Sequence, residues 1–523
     1  MFQQIGESAA VIGGRHRSPE AVPEAGQSIE RSGEGGAPAG RGERPAREEQ
    51  RGALQKAEAR FRETYPRYAS TDSLDELRAR DYARLDAQDQ VYLDYAGGSL
   101  HGESQLRAHM ALLSDQIHGN PHSVNPTSGA STALVEAVRA AVLRYFHAPP
   151  EEYTAIFTAN ASGALKLVGE SYPFSPGDRY LLTVDNHNSV NGIREFARAK
   201  GAVTIYVPVT PPELRIDETR LAAELESARP GGRNLFAYPA QSNFSGVQHG
   251  LDWIARAQAR GWDVLLDASA FAPTNRLDLG RWRPDFVTLS FYKIFGYPTG
   301  VGCLIARRAA LAGLRRPWFA GGAITIASVQ GDGHYLAEGA AGFEDGTVNY
   351  LNIPAVGVGL RHIEAAGLEA IRTRVSCLSA WLLASLTALR HGNGRPLVRV
   401  YGPTNGERRG GTITINFYDS KGRMIDYRLV EELAGRAKIS LRTGCFCNPG
   451  ANEAANGLTR ERLAPCFGQA RPMTFEEFLQ KMDGETPGAV RVSLGVASNF
   501  QDVYRFLQFT GCFLDRAATA EAR

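Results

Sequence analysis

Beyond residue 60 the chain switches repeatedly between two apolar patterns. Short uninterrupted apolar runs predict strands buried on both faces: YTAIFT at Tyr153–Thr158, RYLLTVD from Arg179, VTIYVPV from Val203, NLFAYPA from Asn234, DVLLDAS from Asp263 and DFVTLSF from Asp285. Between them, apolar residues at helical spacing predict amphipathic helices over Ala133–Phe146, Gly163–Glu170 and Ser189–Lys200. A helical pattern from Phe61 to about Arg84 precedes a short strand and Gly-rich turn in VYLDYAGGSL. This alternation predicts a large α/β/α domain around a mostly parallel sheet. A helix across Val356–Ala388, with a break near Gly367, leads away from it. TITINF, a helix near Tyr427–Ala437, KISLRTG, AVRVSLG and FQDVYRFLQFT then read as a smaller C-terminal α+β unit. The predicted boundaries are 61–369 for the large domain with an N-terminal arm and 370–523 for the small one.

Residues 1–60 differ in kind: Phe2 is their single aromatic residue, out of 47 in the chain. Rich in Gly, Pro, Glu, Arg, Ser and Ala, the segment buries too little apolar surface to offset its ordering entropy and is expected to be disordered. The formal charge of +2 gives no reason to expect a nucleic acid or an anionic membrane as partner. No apolar run approaches the ~18 residues of a membrane span. The first residues lack the basic start and apolar stretch of a secretory signal. Six cysteines in 523 residues do not make a disulfide framework, so a reducing cytoplasm is expected.

Candidate chemistry sits at the ends of the predicted strands. Lys293, in LSFYKIFG, follows an apolar strand, where burial would lower its pKa and suit it to a Schiff base; a surface loop lysine is the alternative. Asp267 ends DVLLDAS on the crevice side, placed either to pair with the pyridinium nitrogen of pyridoxal phosphate (PLP) or to cap a helix. In FTANASGALK, the backbone of Ala161 and Ser162 opens a helix and could cradle a phosphate, with the hydroxyls of Ser162 and Ser290 adding donors. His187 in VDNHNSV could lie over the cofactor ring and move protons, or serve as a cap. Asn243 in QSNFSG could bond the cofactor's phenolic oxygen, or occupy a turn.

LDYAGG, GNPHS, FTANASGALK, NHNSV, QSNFSG, LLDAS, LSFYKIFG and RTGCFCNPGA occur in the order seen in class V, fold-type I PLP enzymes. The chain resembles in particular the desulfurase domain of molybdenum-cofactor sulfurases, from about Val91 to Leu507, with FEDGT and RTGCFCNPGA as the most specific fragments. The resemblance implies a fold-type I PLP-dependent transferase. It makes Lys293 the cofactor-bearing lysine, Asp267 the ring-nitrogen partner, His187 the stacking histidine and Asn243 the phenolic-oxygen contact. Ala161, Ser162 and Ser290 become phosphate contacts, and Thr347 of FEDGT a phosphate contact supplied across a homodimer. Arg491 in AVRVSLG becomes the fork on the substrate α-carboxylate.

The spacing R-x-G-x-x-C of cysteine desulfurases selects Cys447, rather than Cys445, as the thiol that takes sulfur from L-cysteine, leaving alanine and an enzyme persulfide. The persulfide would pass to an acceptor that the sequence does not name. Cys445 is left with an assisting role, a reversible disulfide with another thiol, or a space-filling role. No further ligands at suitable spacing accompany the CxC pair, so no metal is expected. Two departures from the resemblance stand out: Asn452 replaces a further cysteine, and the C-terminal domain of the fused sulfurases is not expected in this chain. The competing reading is another class V reaction, such as transamination, epimerisation or carbon–sulfur lysis, that makes no use of Cys447.

Overall fold

The computed structural model describes residues 43–121, 123–467, 473–474, 477–478, 481 and 487–516. The chain divides into two units at the boundary between Arg60 and Phe61. Residues 1–42 of the segment expected to be disordered lie outside the described residues. Over 43–60 that expectation is corrected, because a helix spans Glu43–Thr64. The run ERPAREEQRGALQKAEARFRET is rich in Ala, Glu, Arg and Gln, whose propensity favours a helix even where little apolar surface is available.

In the second unit, seven strands form one sheet. From edge to edge they run Tyr153–Thr158, Gly302–Arg307, Phe286–Ser290, Asp263–Asp267, Asn234–Pro239, Arg179–Thr183 and Val203–Val207. All are parallel to one another except Gly302–Arg307, which runs against both its neighbours. The apolar runs are buried because helices cover the sheet; Ala164, Leu165 and Val168 of the helix Ala161–Ser171 join Ile156, Leu182 and Leu304 of the strands in one buried cluster. The parallel strands end on one edge, and the candidate residues follow these ends: Asp267, Ser290, and then His187, Asn243 and Lys293 in the connections just beyond.

The helices Ile353–Ala366 and Leu368–Ala388 meet at Gly367, whose φ of +82° breaks the helical path. Beyond them a four-stranded antiparallel sheet runs in the order Val398–Tyr401, Thr412–Phe417, Ala489–Ser493, Arg442–Gly444. The N-terminal arm belongs with this smaller sheet rather than with the larger one. Val91–Tyr92 pairs in parallel with Ile439–Ser440, and the Ser493 N–H donates to Leu93 O at 2.7 Å. Two buried arginines fasten the arm: Arg374 to Asp75 at 2.6 Å and Arg78 to Asp502 at 2.6 Å. Sequence position alone assigned the arm to the large domain, because strand pairing across more than 300 residues leaves no local signal.

Candidate active site

Lys293 lies on the one-and-a-half-turn helix Phe291–Phe295 directly after the strand Phe286–Ser290. That helix ends at Gly296, which has φ +81° and a position where a Cβ would sit 2.3 Å from His101 N; the turn therefore needs glycine. Burial pushes the Lys293 amine pKa down. Asp267 and a negative charge at Cys447 push it up, whereas Arg491 and Arg442 push it down. The amine thus feels Asp267, Cys447 and Arg491 together, although these residues lie 26 to 198 positions away in sequence. Asp267 is nearly buried, and its Oδ1 accepts the Ser269 N–H at 2.9 Å.

His187 precedes the helical turn Asn188–Asn191, and its Nδ1 accepts the Ser189 N–H at 3.1 Å. That bond fixes the tautomer, with the proton of the neutral ring on Nε2. Burial, aided by the nearby positive charge of Lys293, lowers the imidazole pKa to about 4, Asp267 opposing. The imidazole is accordingly neutral at pH 7. Because the unfolded chain binds more protons between about pH 6.5 and 4, stability falls as pH drops through that window. A His187→Gln variant is expected to lose less stability over that interval, measured as urea midpoints at pH 7, 5.5 and 4.5.

The N-terminus of the helix Ala161–Ser171 faces the same edge. Asn160 caps it by accepting the Gly163 N–H at 2.9 Å, Ala161 N–H donates to Ser290 Oγ at 2.9 Å, and the Ser162 and Ser189 hydroxyls share a hydrogen bond of 2.6 Å. Helix-end N–H groups ringed by three serine hydroxyls form a donor set suited to a phosphate. Ser269 Oγ, two residues beyond Asp267, is buried and has no hydrogen-bond partner among the described residues. The residues present therefore fit PLP: a pKa-depressed lysine, a carboxylate, a neutral histidine and an anion cradle. Thr347 stands apart in a neighbouring cavity with Thr158, Ala159 and Gly163, where it accepts from Asn120 at 3.4 Å.

The cysteine loop closes over this edge. Asn188 N–H donates to Cys447 O at 2.7 Å, and Asn243 Nδ2 donates to Phe446 O at 2.8 Å. Asn448 Nδ2 reaches Asn243 Oδ1 at 2.9 Å and Asp185 O at 2.6 Å. Asn243 thus spends its amide on the loop in this structure, a use its sequence motif did not suggest. Cys447 remains exposed, Cys445 half-exposed. Arg491 is 2% exposed; it donates to Asn243 O and to Asp94 Oδ1, both at 3.0 Å, and lies 4.7 Å from the centroid of the Phe446 ring.

With this geometry in place, residues 91–506 match the model of the aminotransferase class-V family. The chain belongs to that family. Within it, similarity is high to molybdenum cofactor sulfurases: 38% identity with the Homo sapiens protein over 461 residues, covering 84% of this chain and 51% of that one, and 37% with the Solanum lycopersicum protein, covering 85% and 58%. The chain spans about half the length of these relatives. In fold, this class-V chain is similar to the apo cysteine desulfurase of Thermococcus onnurineus NA1, with a TM-score of 0.69 and 23% identity over 84% of this chain and 98% of that one.

Sequence reading passed over several residues that build this class-V site: Asp94, Asn188, Arg442, Phe446 and Asn448. Asp94 lay in plain view in LDYAGG and Arg442 in RTGCFC, but nothing local ties them to Arg491. Asn188, beside His187, acts through its backbone N–H, which no side-chain pattern reports. Among the described residues, no cluster of three or more His, Cys, Asp or Glu side chains is placed to hold a metal ion, and no helix is long and apolar enough to cross a membrane.

Proposed function

We propose that this chain is a PLP-dependent cysteine desulfurase of the molybdenum cofactor sulfurase kind. It converts L-cysteine to L-alanine and holds the sulfur as a persulfide on Cys447. The observation that carries this reading is the docked cysteine loop: the Asn188 N–H, next to His187, holds Cys447 O and Asn243 holds Phe446 O, so an exposed thiol stands beside the residues that follow the strand ends. When bound, PLP supplies the electron sink for loss of the substrate α-proton.

The protein's own groups do the rest. Lys293 would hold the cofactor and, once released, move the α-proton; Asp267 would pair with the ring nitrogen; neutral His187 would supply its Nε2–H as a donor. The helix end at Ala161, with Ser162 and Ser290, would hold the phosphate, and Asn243 would serve the phenolic oxygen. Arg491 takes the α-carboxylate, and the Cys447 thiolate attacks the substrate sulfur, breaking the carbon–sulfur bond while a proton replaces sulfur on carbon. In this proposal two copies associate, with Thr347 of one serving the phosphate of the other, and the protein works in a reducing cytoplasm alongside a separate sulfur acceptor. The test is to incubate the PLP-loaded protein with L-cysteine and dithiothreitol. Alanine and sulfide should appear in equal amounts; pyruvate and ammonia in place of alanine would refute desulfuration.

A further inference from the structure

Asp94 has no role in the scheme above, yet it touches the substrate end of the site. Its Oδ1 accepts from Arg491 Nη2 at 3.0 Å, and its Oδ2 accepts from Arg442 Nε and Nη2 at 2.9 and 2.6 Å. The carboxylate is held close under the following turn, for a Cβ at Gly97 would lie 2.5 Å from Oδ2. The turn itself is closed by the Gly97 and Gly98 N–H groups, which donate to Asp94 O at 3.0 and 3.1 Å. This accounts for the aspartate and the first glycine of LDYAGG.

Arg491 is a fully buried cation with few partners. Among the described residues its partners beyond Asp94 are the Asn243 carbonyl and the Phe446 ring, and its buried Nε has none. A guanidinium whose Nη1 and Nη2 are each tied by a hydrogen bond while Nε stays open is aimed rather than free, because charge-assisted bonds define its orientation. Arg442, which supplies the opposite side of the clamp, begins the strand Arg442–Gly444 that runs into the cysteine loop. A single carboxylate therefore links the arginine of the substrate end to the strand that leads into the Cys447 loop.

We propose that Asp94 is a positioning residue for substrate recognition: it orients Arg491 so that Nε stays open to an α-carboxylate, and Arg442 anchors Asp94 from the other side. This rests on Arg491 being the α-carboxylate partner. An incoming carboxylate takes Nε and shares Nη2 with Asp94, which then leans on Arg442.

The test separates carboxylate recognition from general integrity. PLP-loaded protein is titrated with L-alanine and with ethylamine, following the visible absorbance of the cofactor. The ratio of the ethylamine to the L-alanine dissociation constant reads the carboxylate's contribution alone. Asp94→Asn is expected to lower that ratio about 10-fold with the ethylamine constant unchanged, and Asp94→Glu to recover part of the loss. Arg442→Met, at a half-exposed side chain, is expected to lower it in the same direction by a smaller factor. An unchanged ratio in both Asp94→Asn and Arg442→Met overturns the proposal, as does equal weakening of the two ligands. Arg491→Lys must itself collapse the ratio; if it does not, the assignment of Arg491 fails, independently of Asp94.

Discussion

Replacing Cys447 with alanine is expected to abolish persulfide formation and to reduce alanine release from L-cysteine by about three orders of magnitude or more, the scale of removing a nucleophile outright. Attack on the substrate sulfur needs a thiolate held in line with the carbon–sulfur bond, and no backbone group or water replaces it. The loop is built to hold that one side chain. Gly444, Phe446 and Cys447 all have positive φ, at +100°, +56° and +53°, and the turn is fixed by the bonds to Cys447 O and Phe446 O. Alanine is as strained as cysteine at such a φ, so the variant should fold and bind PLP like the parent, which visible absorbance would check. Cys445→Ala is expected to retain most of the activity. The decisive measurement is peptide mass after exposure to L-cysteine: a +32 Da sulfur adduct (about the mass of one sulfur atom) on the Cys447 peptide of the parent and none in the variant. Alanine formation that survives in Cys447→Ala would favour another class-V reaction that makes no use of this thiol.

The strands were legible because burial on both faces leaves continuous apolar runs, and their carboxyl ends located Asp267, His187, Asn243 and Lys293 without a structure. The break at Gly367 was legible for the same kind of reason, since a glycine between two helical patterns has a local meaning. What escaped was whatever depends on distant pairing. Gly302–Arg307 is absent from the strands read in the sequence although it is as apolar as its neighbours, and its reversed direction is set by the partners on either side. KISLRTG reads as one strand, yet Ile439–Ser440 pairs with the N-terminal arm and Arg442–Gly444 with Ala489–Ser493, so it is two. Asp94 lies 348 residues from Arg442 and 397 from Arg491, and only the fold brings the three together. The start of the helix Glu43–Thr64, over residues 43–60, was missed for a different reason: composition measures the ability to form a core, whereas this segment's helix draws on propensity.

Replacing Lys293 should be the most damaging single change. Lys293→Ala removes both the covalent attachment of PLP and the group that moves the α-proton, and a loss of at least about 10⁴-fold in alanine formation is expected. Lys293→Arg should fare no better, because a guanidinium keeps the charge but is neither a usable nucleophile nor a base near neutrality. Attachment is checked directly by borohydride reduction and peptide mass, which should find the cofactor on the Lys293 peptide of the parent and nowhere in the variants; retention of more than about 1% of activity in Lys293→Ala would remove this lysine from the chemistry. Fold stability should move the opposite way. Burial holds the folded-state pKa of Lys293 below the ordinary lysine value, so below that value the unfolded chain binds the extra proton more readily, and the apoprotein loses stability as pH falls. Lys293→Met keeps the length of the side chain and removes the charge. The apo form of Lys293→Met is therefore expected to unfold at a higher urea concentration than the parent apoprotein at pH 7, with the gap narrowing as pH rises. A catalytically dead variant that is more stable than its parent would mark Lys293 as a residue whose burial costs the fold and serves the reaction.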